Sequence, residues 1–377
     1  MRGEDTWRCL PDGWISLGMM SGTSVDGMDV ALVRFKPGAT RPGWSHEVLA
    51  VDTLTYPEAL RQSLWGAMGL TAEGLQRLHR HWSLWAAQAT SDWLAQEELP
   101  NPDVVASHGH TVFHRPDEGW TFQVGCGATL HAKLGFPVVC DFRQLDMAHG
   151  GQGAPLVPMA DRELFGQWDV ALNLGGFANL SMEQEGRGRV AWDVGFANLI
   201  LNVLMEEVGQ TMDRDGLVAA QGKAIPGLLS ALKALPFHRQ APPKSTGREW
   251  LERQVLPCFE PHAEAPLADR LLTAIHCTAW AVAKDIPEGS RVLVTGGGAH
   301  NPVLMARLRQ EGEARGISFH VPEQFVVDGK EALAFALLGL QRALDLPNAE
   351  GSWTGASSPS VGGALWGTFP AAGRRRD

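Results

Sequence analysis

The sequence is poor in cysteine and contains no long apolar run, and both absences restrict what the chain can be. Its five cysteines are dispersed along 377 residues and never form a CxxC pair. Dispersed cysteines of this kind are typical of reduced thiols in a cytoplasmic protein. No apolar run approaches the roughly 20 residues that a transmembrane helix requires, and the acidic N-terminal segment has no signal-peptide pattern. We therefore expect a soluble, cytoplasmic protein with no membrane partner.

Positive charge is also scarce. The chain has 32 Lys and Arg against 42 Asp and Glu, a formal net charge of −10. Sequence-independent binding of nucleic acid needs a cationic surface that displaces counterions, so we expect no nucleic-acid partner. The acidic balance does not exclude nucleotides, because backbone amides and helix N-termini can hold phosphate groups locally.

Two common nucleotide-binding motifs are missing. The nearest match to the GxxxxGK[ST] phosphate loop, GLVAAQGKA at 216–224, has one residue too many and an alanine where the metal-binding hydroxyl belongs. No GxGxxG follows a predicted strand, which argues against a dinucleotide-binding fold. The remaining arrangement for ATP uses two hairpin loops that hold the phosphates and a third glycine loop under the adenosine.

Three segments fit that arrangement, because in each an apolar strand opens directly into small residues. They are GMMSGTSVDG at 18–27, NLGGFAN at 173–179 and TGGGAHN at 295–301. Glycine lets the backbone approach a ligand closely, and hydroxyls and exposed amides can point at an anion. One such turn alone would be interpreted as an ordinary loop, but three of them, each after a strand, favour a phosphate site.

The chain as a whole alternates strand-like and helix-like segments, which predicts an α/β protein. Segments 14–20 and 28–35 flank the first glycine loop and are predicted to pair as strands. Trp and Leu recur at three- and four-residue spacing over 73–96, which predicts a helix, and 330–344 contains good helix formers. A strand–glycine turn–strand unit in each half indicates an internal duplication with a cleft between two lobes.

The first glycine segment also resembles a motif of a known family. GMMSGTSVDGMD at 18–29 is similar to the first phosphate motif of the anhydro-N-acetylmuramic acid kinases, sugar kinases of the superfamily that includes hexokinase, actin and the Hsp70 ATPase domain. Further matches extend nearly from end to end: SHGHT at 107–111, DFRQLDMAHGGQGAPLVP at 141–158, LNLGGFANL at 172–180, MDRDG at 212–216, PPKSTGRE at 242–249, VTGGGAHNPVLM at 294–305 and TGA at 354–356. GGQGAP and PPKSTGRE are too long and too unusual in composition to recur by chance.

This resemblance implies a fold, a domain organisation and an assembly. The fold would be a two-lobed actin/hexokinase-like ATPase with duplicated RNase H-like cores and a central cleft. We expect an N-terminal lobe of residues 1–135, completed by about 350–377, and a second lobe of residues 136–349. The resemblance also favours a homodimer.

The resemblance implies a reaction as well. The family opens the internal 1,6-ether of anhydro-N-acetylmuramic acid with water while it transfers the γ-phosphoryl group of ATP to O6, giving N-acetylmuramic acid 6-phosphate in peptidoglycan recycling. Glycosidases use two carboxylates, but here the phosphoryl group replaces the acid, so a single base suffices. Asp193 in AWDVGFAN matches the catalytic Asp of the family. Without the match, it would be interpreted as an acid that caps or stabilises the next helix.

The turn after this aspartate departs from the family pattern. The family usually reads Asp-x-Gly-Pro-Gly-Asn, whereas this chain reads Asp193-Val-Gly-Phe-Ala-Asn198. Alanine cannot adopt positive φ as cheaply as glycine. We expect the substitution of Phe196 and Ala197 to be tolerated, with an altered turn geometry.

ATP and Mg²⁺ are the expected cofactors. Mg²⁺ keeps several waters and binds through one or two carboxylates plus phosphate oxygens. Asp26 is the candidate ligand, through water, and its alternative role is an Asx-turn that stabilises its own loop. The residues that the resemblance assigns to ATP are Gly22, Thr23, Ser24, Val25, Asp26, Gly27, Met28, Asp29, Gly175, Gly176, Asn179, Gly296, Gly297 and Gly298.

Five residues are candidates for contact with the amino sugar: His108, Arg143, Gln152, Asn198 and Glu331. The planar guanidinium of Arg143 suits the lactyl carboxylate, with a structural salt bridge as the alternative. His108 would donate or accept a hydrogen bond to the sugar, or be a structural histidine. Glu331 matches a family Glu that faces the sugar, and alone it would be interpreted as a first-turn helix acid.

Three other functions are compatible with parts of the pattern. A related kinase for a different sugar would have the same phosphate machinery. An actin- or Hsp70-like nucleotide switch needs a further domain or a polymer interface, and only about 30 residues follow the last predicted helix. A hydrolase with Ser21 or Ser24 as nucleophile lacks the G-x-S-x-G elbow.

Overall fold

The computed structural model describes residues 12–22, 25–38, 43–242 and 244–369. Two compact units are formed: the first comprises the described residues up to Gly166 and from Gly329 onward, and the second comprises Gln167–Asp328. Each unit contains one β-sheet and several helices, so the predicted α/β class is confirmed. None of the described helices is both long enough and apolar enough to cross a bilayer.

The secondary-structure elements are numbered along the chain. The strands are β1 (Trp14–Ser21), β2 (Gly27–Pro37), β3 (Trp44–Thr55), β4 (Val104–Arg115), β5 (Trp120–Val124), β6 (Val138–Cys140), β7 (Val170–Leu174), β8 (Phe177–Gln184), β9 (Gly188–Phe196), β10 (Arg291–Thr295), β11 (Ser318–His320) and β12 (Ala364–Trp366). The helices are α1 (Glu58–Trp65), α2 (Ala72–Gln96), α3 (Gly127–Leu134), α4 (Gln144–Ala148), α5 (Pro158–Phe165), α6 (Asn198–Glu206), α7 (Pro226–Lys233), α8 (Arg248–Trp250), α9 (Leu256–Phe259), α10 (Leu267–Asp285), α11 (Pro302–Glu313), α12 (Gln324–Ala343) and α13 (Gly351–Thr354).

The two sheets share one strand order. In the first unit the order is β12-β6-β4-β1-β2-β3, with β5 paired to β4, and in the second it is β11-β10-β7-β8-β9. In each, three antiparallel strands continue into parallel strands: β3-β2-β1 into β4 and β6, and β9-β8-β7 into β10 and β11. The repeated order confirms the internal duplication and the actin/hexokinase-like fold class.

The boundaries of the units differ from the expected lobe boundaries at 135 and 350. Strand β6 pairs with β4 in the first sheet, and the Phe165 ring at the end of α5 lies edge-on to His46 of β3, with 5.6 Å between centroids. The last part of α12 also packs on the first sheet. Residues between 136 and 166 therefore belong to the first unit, which the chain re-enters at Gly329.

Helix α2 follows the predicted spacing closely. Thr71 caps its N-terminus by accepting a hydrogen bond from the Gly74 N–H at 3.1 Å. The apolar face buries Leu78, Trp82 and Trp93, which is the pattern expected when every third or fourth residue faces a core. The sequence pattern missed β3 and α1, and it placed the start of α12 at residue 330 instead of Gln324.

Helix α12 contacts the first sheet through two glycines. A Cβ at Gly18 of β1 would lie 1.8 Å from the Ala332 carbonyl oxygen, and a Cβ at Gly339 would lie 2.3 Å from the Ala106 Cβ in β4. The Ser16 hydroxyl donates to the Ala336 carbonyl at 2.7 Å. The backbone of α12 is thus in direct contact with the sheet, and this contact fixes the part of α12 that carries Glu331.

Replacing Gly18 by alanine is expected to destabilise the first unit by about 3 kcal/mol, the upper end for an overpacked core. The obstacle is helix backbone, which cannot rotate away as a side chain would. Urea unfolding measures the effect, and Gly69→Ala is the matched control because nothing lies within 4 Å of a Cβ at Gly69. Equal midpoints for the two variants would contradict the close contact of β1 with α12.

Candidate active site

The first glycine loop connects β1 and β2. Thr23 and Ser24, both predicted to bind phosphate, lie outside the described residues. The half-buried Gly22 accepts a hydrogen bond from the Val25 N–H at 3.4 Å. Val25 is buried at φ 54°, a left-handed conformation that a β-branched residue rarely takes. Strained backbone of this kind is concentrated in ligand-binding loops, so this conformation favours a functional loop.

Four further predicted ATP residues lead into β2. The Asp26 side chain is exposed, and its Oδ1 accepts a hydrogen bond from the N–H of the next residue, Gly27, at 3.0 Å. Met28 is fully buried in the core, so only its backbone can contribute to a phosphate site. Asp29 accepts a hydrogen bond from the Thr53 hydroxyl at 2.7 Å, which holds it against β3.

A buried polar network lies at the start of this loop. The Trp82 indole N–H donates to the Tyr56 hydroxyl at 3.0 Å, and that hydroxyl donates to Ser21 Oγ at 2.7 Å. Burial raises the pKa of Tyr56 to about 12, so it stays protonated. Ser21 Oγ then donates to His110 Nδ1 at 3.0 Å. The Ser21 hydroxyl is fully engaged and unsuited to nucleophilic attack.

The turn between β7 and β8 presents Gly175 and Gly176. The Asn198 N–H donates to the Gly175 carbonyl and the Leu199 N–H to the Gly176 carbonyl, both at 3.1 Å. In the part of the chain that the structure describes, the N–H groups of the two glycines have no acceptor. A turn whose carbonyls are engaged and whose amides are available suits an anion.

Three polar residues lie side by side across the second sheet. Asn173 of β7 pairs with Asn179 of β8, and Asn179 pairs with Asp193 of β9. Residues directly opposite each other on antiparallel strands project from the same face of the sheet. Asn179 is therefore a neighbour of the candidate base and lies beyond the glycine turn.

Asp193 is half-buried and hydrogen-bonded asymmetrically. Its Oδ2 accepts from the Ser245 hydroxyl at 3.1 Å and from the Thr246 N–H at 2.9 Å, and its own N–H donates to the Lys244 carbonyl at 2.9 Å. None of the described residues donates to Oδ1. Burial raises the pKa of Asp193, and the two hydrogen bonds and the Lys244 charge oppose that rise. One oxygen is held while the other can act on a ligand.

The turn after Asp193 forms without the proline and glycine of the family pattern. Phe196 is buried and stacks on Trp250, with 6.1 Å between ring centroids and 24° between planes. Ala197 has φ −137°, so glycine is not required there. Helix α6 begins only at Asn198. The alternative in which Asp193 caps the next helix is therefore wrong.

The third glycine loop follows β10 and needs its glycines. Gly296 has φ 81°, and a Cβ there would lie 2.6 Å from Asn173 Oδ1. A Cβ at Gly298 would lie 2.7 Å from the Leu174 Cβ. Asn198, predicted to contact the sugar, donates its Nδ2 hydrogen to the Leu174 carbonyl at 3.0 Å. These contacts place the loop directly against the end of β7.

In the first unit, His108 and Arg143 form a hydrogen-bonded pair. Arg143 Nε and Nη2 lie 3.0 and 2.9 Å from His108 Nε2, and Nη1 donates to the Gly153 carbonyl at 2.6 Å. His108 Nδ1 donates to the Gly109 carbonyl at 2.9 Å, which leaves Nε2 as the acceptor. Burial and the Arg143 charge hold the pKa of His108 well below its ordinary value. The neutral His108 thus orients the guanidinium.

Glu331 lies on α12 within the same unit. The helix starts at Gln324, so the prediction that Glu331 opens it is wrong. The Glu331 residue is exposed, but the surrounding protein desolvates its carboxyl and so raises the pKa of that group. The Arg143 charge opposes this rise. Burial lowers the pKa of Arg143 to about 10, so the guanidinium stays charged at neutral pH.

The GGQG segment folds around the buried carboxylate of Asp146, which sequence analysis missed. Its Oδ2 accepts from the Gly153 N–H at 2.8 Å and its Oδ1 from the Thr354 hydroxyl at 2.6 Å. A Cβ at Gly151 would lie 2.3 Å from Asp146 Oδ2. The Gln152 N–H donates to the Thr354 carbonyl at 2.7 Å, and the Gln152 side chain is exposed. The segment therefore has a fixed backbone that presents Gln152.

A Mg²⁺ ion at this site would have few protein ligands. Across the described ranges, no three His, Cys, Asp or Glu side chains converge on one metal position. Mg²⁺ bound to a nucleotide needs only one or two carboxylates and keeps several waters. The exposed Asp26 therefore fits an ion that is held mainly by phosphate oxygens.

Comparison with known proteins gives one consistent family. A model of the family described as anhydro-N-acetylmuramic acid kinase matches residues 15–368. A curated relative of that name from Bordetella parapertussis is 42% identical over 383 residues, covering 94% of this chain and 96% of its own length. Relatives of the same name from Chromobacterium violaceum and Pseudomonas putida are 37% and 39% identical, covering 93% and 85% of this chain and 98% and 91% of their own lengths.

Proposed function

Because the chain belongs to the anhydro-N-acetylmuramic acid kinase family, we propose that it opens the 1,6-anhydro ring of anhydro-N-acetylmuramic acid with water and transfers a phosphoryl group from ATP to O6. The product is N-acetylmuramic acid 6-phosphate, and the enzyme is a phosphotransferase of cell-wall sugar recycling. The observation that carries the proposal is the asymmetric hydrogen bonding of Asp193, in which Oδ2 is held and Oδ1 is available.

The reaction requires one proton acceptor. As water attacks C1, the C1–O6 bond breaks and the departing O6 forms a new bond with the γ-phosphorus of ATP. The bond between that phosphorus and the β,γ-bridging oxygen breaks, and ADP leaves. Asp193 Oδ1 accepts the proton that the attacking water loses, while Ser245 and Thr246 keep Oδ2 in place. A carboxylate with a raised pKa is a stronger base than an ordinary one.

Arg143 is assigned to the lactyl carboxylate of the sugar. Its contacts with His108 and the Gly153 carbonyl orient the guanidinium, and a planar fork fixed in this way suits a carboxylate. Glu331 and Gln152 have accessible side chains and are assigned to sugar hydroxyl and acetamido groups. Asn198 is assigned to the same substrate, in addition to its bond with the sheet.

The glycine loops are assigned to ATP. Mg²⁺–ATP, when bound, supplies the phosphoryl group, and the ion neutralises charge that develops on it. The amides of Gly175 and Gly176 and the loop 22–29 would hold phosphates, Gly296, Gly297 and Gly298 would lie against adenosine, and Asp26 would hold the hydrated Mg²⁺. We further propose a cytoplasmic homodimer.

The assay that tests this function follows the oxygen atoms. Purified protein is incubated with Mg²⁺, ATP, the anhydro sugar and ¹⁸O-labelled water, and products are analysed by mass spectrometry. We expect a phosphorylated sugar that carries one ¹⁸O atom, since water supplies the oxygen at C1. A phosphorylated sugar without label would mean that another hydroxyl is phosphorylated with the anhydro ring intact, because O6 can bond to phosphorus only when its bond to C1 breaks. Absence of phosphorylated sugar would reject the substrate.

The rate should also depend on pH in a defined direction. Asp193 must be ionised to accept a proton, and burial raises its pKa above the ordinary value of 3.8. We therefore expect kcat/KM to be constant at neutral pH and to fall as pH drops through that raised pKa. Initial rates from about pH 4 to pH 8 test this, with circular dichroism at each pH to exclude unfolding. An acid limb at or below the ordinary aspartate pKa would contradict the role of Asp193.

A further inference from the structure

Lys244 and Asp285 form a buried ion pair in the second unit that the reaction above does not use. Lys244 Nζ lies 3.4 Å from Asp285 Oδ2, with the two side chains 3% and 13% exposed. The same Nζ lies 3.4 Å from the Phe237 carbonyl and 4.9 Å from the centroid of the Phe237 ring. A buried ion pair rarely stabilises a fold more than apolar residues of equal size would. Stability alone therefore gives a weak reason for this pair.

The backbone at Lys244 is continuous with the groups that hold Asp193. The Lys244 carbonyl accepts the Asp193 N–H at 2.9 Å. The next two residues, Ser245 and Thr246, donate to Asp193 Oδ2 at 3.1 and 2.9 Å. The position of the Lys244 side chain therefore fixes the segment that binds the carboxylate.

Asp285 also binds the residue that precedes Asp193 in the chain. The indole N–H of Trp192, the residue before Asp193, donates to Asp285 Oδ2 at 3.3 Å. Lys284 donates to Asp285 Oδ1 at 3.2 Å. The Asp285 carboxylate at the end of α10 thus holds two residues next to Asp193. Trp192 precedes Asp193 in β9, and Lys244 is hydrogen-bonded to the Asp193 backbone.

We propose that Asp285 is a positioning residue for the base Asp193, acting through Lys244 and Trp192. It holds segment 244–246 against β9, so that Asp193 Oδ2 stays bound and Oδ1 stays available. The role rests on the proposed function of Asp193. In this proposal Asp285 touches neither the sugar nor ATP but sets the geometry of the proton transfer.

Substitutions of the pair should shift the pH profile in opposite directions. The charged or titratable groups around Asp193 are Lys244, Asp285, Lys284 and His238. His238 stays neutral, because burial lowers its pKa to about 4. Lys244→Met removes a cation that lowers the pKa of Asp193, so the acid limb moves to higher pH. Asp285→Asn leaves that cation without its partner, so the limb moves to lower pH.

The experiment compares kcat, KM and the pH profile of the wild type with Asp285→Asn, Lys244→Met and Glu207→Gln. Glu207 is the matched control, since it accepts two hydrogen bonds from the buried Arg270 at 2.8 and 2.6 Å in the same unit. We expect Asp285→Asn to lower kcat by about 10²-fold with KM nearly unchanged, because misplacing a reacting group costs that much. Glu207→Gln should keep the wild-type kcat.

A second readout does not depend on turnover. The ¹³C carboxyl signal of Asp193, assigned by its loss in Asp193→Asn, is titrated in the folded wild type and both variants. Opposite pKa shifts in Asp285→Asn and Lys244→Met support the proposal even if the sugar is not the expected substrate. Wild-type kcat in folded Asp285→Asn, an equal loss in Glu207→Gln, or an unchanged Asp193 pKa in both variants would overturn it.

Discussion

Replacing Asp193 by asparagine is expected to lower kcat by about 10³-fold, since the residue is the single base of the reaction. Asparagine has nearly the same shape, and its side-chain oxygen can still accept from Ser245 and Thr246. It cannot accept the proton of the attacking water. The KM values for ATP and sugar should therefore change little, and the loss should fall on kcat.

The same substitution should not destabilise the protein at neutral pH. Burial makes the pKa of Asp193 higher in the folded than in the unfolded chain, so folding disfavours the ionised form. That cost is present above the folded pKa and disappears as pH falls below the unfolded value. Asparagine carries no charge, so we expect an unfolding midpoint at neutral pH equal to or above that of the wild type.

Asp169→Asn is the matched control for both effects. Asp169 lies in the same unit, and hydrogen bonds from Arg291 lower its pKa, so its ionised form stabilises the fold above the unfolded pKa and loses that contribution as pH falls. This control should keep its activity and lose a little stability at neutral pH. Residual kcat in Asp193→Asn above about a tenth of the wild-type value would reject the base.

Residues that lie in local patterns were predictable from the sequence. The strands around the glycine loops and helix α2 follow from spacing within a few residues, and Asp193 lies inside the apolar strand β9. Strand β3 was missed because it lies at the edge of the sheet and is only partly buried, so its apolar alternation is weak. The first turns of α12, QFVVDG, contain β-branched residues and glycine, which are poor helix formers.

Contacts between distant residues left no signal in the sequence. Tyr56 and His110 lie 35 and 89 residues from Ser21, yet both hydrogen-bond to its hydroxyl. Trp192 and Asp285 are 93 residues apart. A motif names the residue that performs chemistry, whereas the groups that orient it come from other elements, and only the fold brings them together.

Arg143→Lys is the second substitution with a large expected effect. The guanidinium contacts His108 through Nε and Nη2 and the Gly153 carbonyl through Nη1, and the proposal assigns its remaining donors to the lactyl carboxylate. A lysine ammonium cannot serve three partners in these directions. We expect kcat/KM for the anhydro sugar to fall by about 10²-fold, mainly through KM, because an ionic hydrogen-bonded pair is lost.

A sugar without the lactyl group separates this role from a structural one. 1,6-Anhydro-N-acetylglucosamine lacks the carboxylate, so Arg143→Lys should cost much less on it than on the natural sugar. Arg162→Lys is the control, because Arg162 in the same unit donates to Glu350 at 2.5 Å and has no assigned substrate contact. Its effect should be equal on both sugars. If Arg143→Lys lowered kcat/KM equally on the two sugars, Arg143 would be a structural residue.

The pH dependence of the Arg143→Lys variant gives a further test. Burial already lowers the pKa of Arg143 to about 10, and lysine starts from a lower value than arginine, so the same burial brings its pKa closer to neutrality. The variant should therefore lose activity at alkaline pH where the wild type does not, because its ammonium loses the charge that binds the carboxylate. A variant whose KM is independent of pH across that range would show that charge at this position does not bind the sugar.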